Sequence, residues 1–284
     1  MRDSGVQIAV IMTCHEQRDQ VMSSLLSAFG QEREGVRVEV YLTDAGSIDG
    51  TTAAVEGIDG RVTVIARGPD VYWAEGMREA EAEALRGKPD YLLWLNADTT
   101  LDQGALQRML EVSVEHPTSI VVGATRDGAA RDVTYGGRRR ISSWHPQRFA
   151  ILGVSDEVQE ADSLNGNVVL VPREVSEIVG PIDGEFPHAY ADDDYGLRAR
   201  TLGVSVLQAP GTVGLCAENP AAGAVIRGPR AWLALQDPKG LPLRAQIRYW
   251  RRHGGSAWPV LLAAQQARIL VGLRPVRVTR TGPQ

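Results

Sequence analysis

Tyr91-Leu92-Leu93-Trp94-Leu95-Asn96-Ala97-Asp98-Thr99-Thr100 is the stretch that decides the fold. Tyr91 to Leu95 carry no charge, as in a strand buried on both faces of a parallel sheet, and a carboxylate follows where such a strand's carboxyl end reaches solvent. Ligands of open α/β sheets bind at that edge. Asp98 and Thr99 are equally suited to capping a helix that begins near Leu101, a very common use of both residue types. Taken alone, the stretch leaves the two uses open.

Strand-like runs alternate with helical patterns around it: Val6 to Met12 then Glu16 to Phe29, Val36 to Leu42 then Thr51 to Glu56, Val62 to Ala66 then Trp73 to Leu85. Leu101 to Val114 follows as a helix and Ile120 to Gly123 as a strand. The alternation implies right-handed crossovers and an α/β fold with a mainly parallel sheet flanked by helices. From 124 to 162, Gly128, Gly136 and Gly137 sit among arginines and the periodicity fades, so a loop or β-rich excursion is expected. Asn167 to Val171 is again a strand, and Pro172-Arg173-Glu174 suits the first turn of a helix. Asp192 to Leu202 is helical up to Gly203, and Val204 to Leu207 is one more strand. The composition then turns to Arg, Trp, Leu and Ala, which sets the boundary of a C-terminal appendage near residue 220.

A chain of 284 residues can bury a full core as one large α/β domain or as one domain with an appendage. Cys14 and Cys216 are far apart and the five histidines form no ligand-spaced cluster, which disfavours a disulfide framework and structural zinc. No run approaches the roughly 18 apolar residues of a spanning helix. No long apolar leader precedes Val6, so a cytoplasmic chain is expected.

The net charge of -5 hides an asymmetry: residues 227–284 carry eleven Lys or Arg against one acid, Asp237. The earlier residues hold nineteen basic and thirty-four acidic side chains, leaving the body near -15 and the tail near +10. Within that tail, Leu241 to Arg252 and Trp258 to Leu270 form two basic amphipathic patterns separated by His253-Gly254-Gly255. Such helices suit peripheral contact with an anionic bilayer, at the inner face of the plasma membrane, as well as packing on the body or in a homodimer. The acidic body would repel nucleic acid.

The first turn after a strand, Thr13-Cys14-His15-Glu16-Gln17-Arg18, contains no glycine, which argues against a dinucleotide fingerprint, and no P-loop occurs in the chain. The second strand ends in Asp44-Ala45-Gly46-Ser47-Ile48-Asp49-Gly50-Thr51. Asp44 there is suited to accepting hydrogen bonds from a base or ribose, whereas Ser47 and Asp49 fit turn and N-cap roles. Farther on, Asp192-Asp193-Asp194 is costly unless solvated, metal-bound or used, although a helix N-terminus also favours acids.

The ordered set of Thr13-Cys14-His15, Asp44 to Thr51, Leu95-Asn96-Ala97-Asp98-Thr99 and Asp192 to Arg198 resembles the family-two glycosyltransferases of the GT-A fold, over residues 7 to 220. Rhamnosyltransferase-like members are included in the likeness. It implies a catalytic domain over 1–220, divided into a nucleotide-binding half (1–123) and an acceptor half (124–220), followed by a basic helical appendage over 221–284. It also implies an inverting transfer of a sugar from a nucleotide diphosphate, UDP- or dTDP-linked, to a hydroxyl of a glycan or lipid-linked acceptor.

By this resemblance Asp44 contacts the nucleotide base and Asp98 holds Mg²⁺ or Mn²⁺ against the donor diphosphate, with Asn96 replacing the first acid of the family's Asp-x-Asp element. Thr13, Tyr72, Trp73, Arg78, Asn96, Asn165, Gly166 and Asn167 complete the expected donor site. Asp192 takes the general-base position, Ala191 replaces the glutamate before it, and Arg198 is an i,i+4 partner of Asp194. The histidine that some members carry near Gly214 to Asn219 is missing. A nucleotidyltransferase and a non-catalytic nucleotide-sugar-binding scaffold are the alternatives.

Overall fold

The computed structural model describes residues 5–58, 60–128, 132–217, 223–273 and 276–279. The expected boundary near residue 220 lies outside the described residues. The central sheet comprises β1 (Val6–Cys14), β2 (Val36–Asp44), β3 (Val62–Ala66), β4 (Tyr91–Leu95), β5 (Ser119–Val122), β6 (Gln159–Ala161), β7 (Val168–Pro172) and β8 (Ser205–Gln208). Their spatial order is β6-β8-β5-β7-β4-β1-β2-β3.

Strands β3, β2, β1 and β4 run parallel, β7 runs antiparallel to both β4 and β5, β8 is parallel to β5, and β6 is an antiparallel edge. The sheet is therefore mainly parallel, as the alternation predicts. The uncharged run forms its centre, since β4 pairs with β1 on one side and β7 on the other. Successive side chains of a strand point to opposite faces. Leu92 and Trp94 accordingly join one buried cluster and Leu93 and Leu95 the other. Full burial of each such aliphatic side chain contributes about 1.5–3 kcal/mol.

Helices α1 (Arg18–Phe29), α2 (Thr51–Glu56) and α4 (Ala105–Glu115) place residues in the cluster with Leu93. The cluster around Trp94 takes residues from α3 (Trp73–Arg86), α5 (Arg173–Val179) and α6 (Ala191–Thr201). Helices α7 (Gly228–Leu235), α8 (Leu243–His253) and α9 (Trp258–Leu270) follow. Ala245, Tyr249, Trp250 and Leu262 bring α8 and α9 into the same core as Trp94. Among the described residues, no helix is long and apolar enough to cross a membrane.

Two local expectations differ from the structure, and a third that was left open is decided. The helix expected over Leu101 to Val114 starts only at Ala105, because Thr100–Leu101 pairs as a short strand with Gly214–Leu215. The Asp102 N–H continues that pairing to the Val213 carbonyl, and Gly104 turns the chain at φ 75. Pro172 closes β7 with an extended ψ of 139, so α5 begins one residue later. The uncertain 124–162 segment is the β-rich alternative: short strands Thr125–Arg126, Val133–Tyr135, Gly137–Arg140 and Phe149–Ile151, with Gln159–Ala161 joining the main sheet as β6.

Candidate active site

Register brings the predicted residues to one edge. Cys14 lies opposite Asp44 and Ile11 opposite Trp94, so β1, β2 and β4 end together. The reversed direction of β7 then delivers its amino end to the same edge, where Val168 faces Leu95. The Asn96 N–H donates to the Asn167 carbonyl at 3.0 Å. Asp44, Asn96, Asp98 and the loop Asn165-Gly166-Asn167 thus share one rim.

Asp44 is 2 % exposed. Its Oδ1 accepts the Ser47 N–H at 2.9 Å and the Ser47 hydroxyl at 2.6 Å, and its Oδ2 accepts the Thr52 hydroxyl. Three of the roughly four acceptor positions of a carboxylate are filled by its own loop and the first turn of α2, which fixes the aim of the fourth. Ser47 and Asp49 act as turn and capping residues, Ser47 receiving the Glu16 N–H and Asp49 the N–H groups of Arg18 and Thr51. Asp49 therefore caps the start of α1 as well as its own turn.

Asp98 is no helix cap, since α4 starts seven residues later. Only long contacts reach its carboxylate among the described residues, from the Thr99 hydroxyl at 3.4 Å and the Cys216 thiol at 3.6 Å, both on Oδ1. Burial, with Asp98 adding to it, pushes the Cys216 thiol up to about 12, so the sulfur keeps its proton. Cys216 also accepts from Asn167 Nδ2 at 3.4 Å. The only sequence signal for Cys216 is its place in the Gly214 to Asn219 run, where some family members carry a histidine.

Asn96 does not open its oxygen to the rim, because Oδ1 accepts the Trp73 indole N–H at 2.8 Å. Trp73 packs edge-on against Trp94, centroids 6.3 Å apart. A Cβ at Gly166 would lie 2.7 Å from the Trp73 ring and 3.4 Å from Asp192 Cβ, so glycine lets the loop pass between them. On either side, Asn165 Oδ1 accepts the Gly136 N–H at 3.4 Å and Asn167 holds Cys216. Both amides pin the loop.

The three aspartates at the start of α6 have separate fates. Asp193 is buried beside Ser163 and paired to Arg138 at 2.6 Å. Burial raises its pKa, to about 7, against the pull of Arg138. Asp194 is 0 % exposed and receives Arg198 at 2.8 Å, Arg252 at 2.5 Å and His253 at 2.8 Å. Burial works against its charge, but the His253, Arg198 and Arg252 contacts win and hold its carboxyl below the usual range. Arg198 is the i,i+4 partner anticipated, whereas Arg252 and His253 come from the distant tail.

Asp192 makes no ion pair among the described residues. Its Oδ1 accepts the Asp193 N–H at 2.8 Å and its Oδ2 the Gly166 N–H at 3.2 Å. Each oxygen keeps a lone pair, and the side chain is only partly buried.

Three expected donor residues are placed elsewhere. Thr13 gives its hydroxyl to the Thr43 carbonyl at 3.2 Å and packs where a Cβ on Gly76 would collide with it, so it seats α3 on the sheet. Tyr72 and Arg78 border a cavity between α3 and α8. Glu81 on α3, which accepts the N–H of the cavity-lining Ile182, had no sequence signal beyond an ordinary helix-face glutamate.

A divalent ion fits the donor set in one way. Among the described residues, no three His, Cys, Asp or Glu side chains gather to hold a metal. Mg²⁺ and similar hard ions are commonly held by one or two carboxylates plus substrate phosphates. Asp98, lightly engaged at the rim, suits that shared coordination, while Asn96 is occupied by Trp73.

Succinoglycan biosynthesis protein ExoO of Rhizobium meliloti (strain 1021) is 34% identical over 114 residues, 38% of this chain and 30% of that protein. The match spans less than a third of that relative's length. GalNAc-T7 with UDP, GalNAc and Mn²⁺ superimposes at TM-score 0.62 and 13% identity, covering 93% of this chain and 58% of the other. The mannosyltransferase PcManGT from Pyrobaculum calidifontis, in complex with GDP-Man and Mn²⁺, gives TM-score 0.52 and 19% identity over 93% and 75%. These likenesses establish the GT-A fold. The family model for glycosyl transferase family 2 matches residues 9–167, more than half of the chain, and spans the rim from β1 through Asp44, Asp98 and Asn167: the chain belongs to glycosyl transferase family 2.

Proposed function

We propose that this protein is an inverting, divalent-metal-dependent glycosyltransferase that moves a sugar from a nucleotide diphosphate to a hydroxyl of a glycan or lipid-linked acceptor. The observation that carries the reading is the division of labour at α6: Asp193 and Asp194 are buried and ion-paired, whereas Asp192 is only partly buried, makes no ion pair among the described residues and lies next to Gly166, which packs on Trp73. A carboxylate so held acts as general base. It removes the proton of the acceptor hydroxyl, whose oxygen bonds to the anomeric carbon as that carbon's bond to the diphosphate breaks on the opposite face. The nucleotide diphosphate departs and Asp192 holds the proton.

Asp44 is the candidate contact for the nucleoside and Trp73 the candidate cover for the sugar. The solved neighbours carrying UDP or GDP-Man together with Mn²⁺ support a nucleotide diphosphate donor. Mg²⁺ or Mn²⁺ at Asp98 would stabilise the negative charge of the leaving diphosphate. We assign donor binding to the 1–123 half, acceptor binding to the 124–220 half, and a bracing role to the C-terminal helices.

The test is a panel of UDP-, dTDP- and GDP-linked sugars scored by thermal shift with and without Mn²⁺, since a ligand bound only by the folded state raises its melting temperature. The expected result is a metal-dependent shift with at least one donor, and Asp192→Asn should keep that shift while losing transfer. Absence of any shift, or undiminished transfer by Asp192→Asn, refutes the assignment.

A further inference from the structure

A cavity of about 780 Å³ lies between the start of α3, the loop 181–187 and α8. Pockets of roughly 300–1,000 Å³ hold small ligands. Five guanidinium groups border it, those of Arg78, Arg198, Arg244, Arg248 and Arg252, against the acids Glu75, Asp183 and Glu185. One of those acids is already neutralised. Asp183 receives Arg248 through Nε at 2.8 Å and Nη2 at 3.0 Å, and Arg252 at 3.0 Å.

A guanidinium has five N–H donors. Arg248 spends two of them on Asp183, so Asp183 aims the group and leaves three for a ligand. Arg78 makes no ion pair among the described residues, and a Cβ on Gly184 would come within 2.6 Å of its Nε. The glycine therefore lets the loop lie against this arginine. Arg244 contacts Glu185 at 3.2 Å with 91% of its side chain exposed. Exposed pairs of that kind contribute only about 0–1 kcal/mol and exchange readily for a stronger anion.

We propose that this cavity binds a phosphate or diphosphate group of the acceptor. Arg198 and Arg252 are already spent on Asp194, Asp183 and backbone carbonyls, but the forks of Arg78, Arg244 and Arg248 also border the cavity, and a phosphoryl group can accept from more than one fork at a time. The site is distinct from the one expected for the donor diphosphate at Asp98, yet it adjoins the transfer centre: Tyr72 borders the cavity, and Trp73, the next residue, reaches Gly166. The proposal rests on the transferase reading for its assignment to an acceptor. The phosphoryl group can come from a lipid carrier or from a soluble phosphorylated glycan.

The full chain is titrated calorimetrically in EDTA, where metal-assisted diphosphate binding at Asp98 is silent, with farnesyl diphosphate, inorganic pyrophosphate and farnesol. Both anions should bind and farnesol should not. Arg78→Ala/Arg244→Ala should weaken both anions at least tenfold while the circular-dichroism spectrum stays native, and Arg244→Glu alone should act in the same direction. Asp98→Ala should leave both affinities intact. Tighter binding of farnesyl diphosphate than of pyrophosphate identifies the lipid source, and equal binding the soluble one. If neither anion binds, if farnesol binds as well as its diphosphate, or if the arginine variants bind normally, the proposal is wrong. A donor panel without any thermal shift would instead remove the transferase reading while leaving this titration standing.

Discussion

Glu81→Gln should stabilise the protein, and by an amount that grows with pH. Glu81 is 1% exposed on α3, where Oε2 accepts the Ile182 N–H at 2.8 Å and so holds the loop 181–187 to the body. Among the described residues its other oxygen, Oε1, has no hydrogen-bond partner, and neither have the nearby buried Tyr195 hydroxyl and Trp94 indole N–H. Burial pushes the Glu81 carboxyl from its ordinary 4.5 to about 7, with Arg198 and Arg78 only partly offsetting it. Between those values the folded protein binds a proton that the unfolded chain has released, so stability falls as pH rises from about 4.5 to 7 and is flat above that. At about 1.4 kcal/mol per pKa unit, the charged form costs on the order of 3 kcal/mol above pH 7. Glutamine keeps the acceptor for Ile182 and carries no charge. Melting curves of both proteins from pH 5 to 8 should therefore diverge. At about 2 °C per kcal/mol for a large domain, the variant should gain about 6 °C at pH 8 over its difference at pH 5. A difference independent of pH would refute the argument.

Gly166→Ala should disturb the site without unfolding the protein, because the new methyl meets the Trp73 ring and approaches Asp192. Displacement by about 1 Å of a group near the chemistry costs roughly 100-fold, so kcat should fall by one to two orders of magnitude at nearly constant melting temperature. Asp194→Asn removes the buried carboxylate that Arg198, Arg252 and His253 share, and breaking a buried pair typically costs about 3–5 kcal/mol; denaturant titration should show a lower midpoint. EDTA should abolish transfer and the donor-dependent thermal shift together, and Mg²⁺ or Mn²⁺ should restore both.

The sheet was legible because burial on both faces demands an uninterrupted apolar run, and Tyr91 to Leu95 is one. Its order was not, because the reversal of β7 leaves the same Val-rich signature as a parallel strand. Asp44 and Asp98 could be placed at an edge from their positions after strands. Their neighbours could not be derived that way: Thr52 on Asp44, Cys216 on Asp98 and Trp73 on Asn96 meet across 8, 118 and 23 residues. Local pattern also misjudged Thr100 and Leu101, whose short pairing with Gly214–Leu215 overrides the helical periodicity beyond them.

The charge partition between body and tail acquires a structural use. Arg248 and Arg252 of α8 meet Asp183, and Arg252 and His253 reach Asp194, two residues after the candidate base. On the same helix Tyr249 and Trp250 are fully buried, so α8 reaches the body through its aromatic side together with Arg248, Arg252 and His253, while Arg244 stays exposed. An arrangement of that kind fixes the start of α6 from behind. It keeps Asp194 ionised within the core and thereby leaves Asp192, at the helix's first turn, as the carboxylate that meets the rim. The basic residues of α8 are thus committed partly to holding the α6 acids and partly to the cavity they share with Arg78. One helix from the tail connects the geometry of the proposed base with the proposed phosphoryl site.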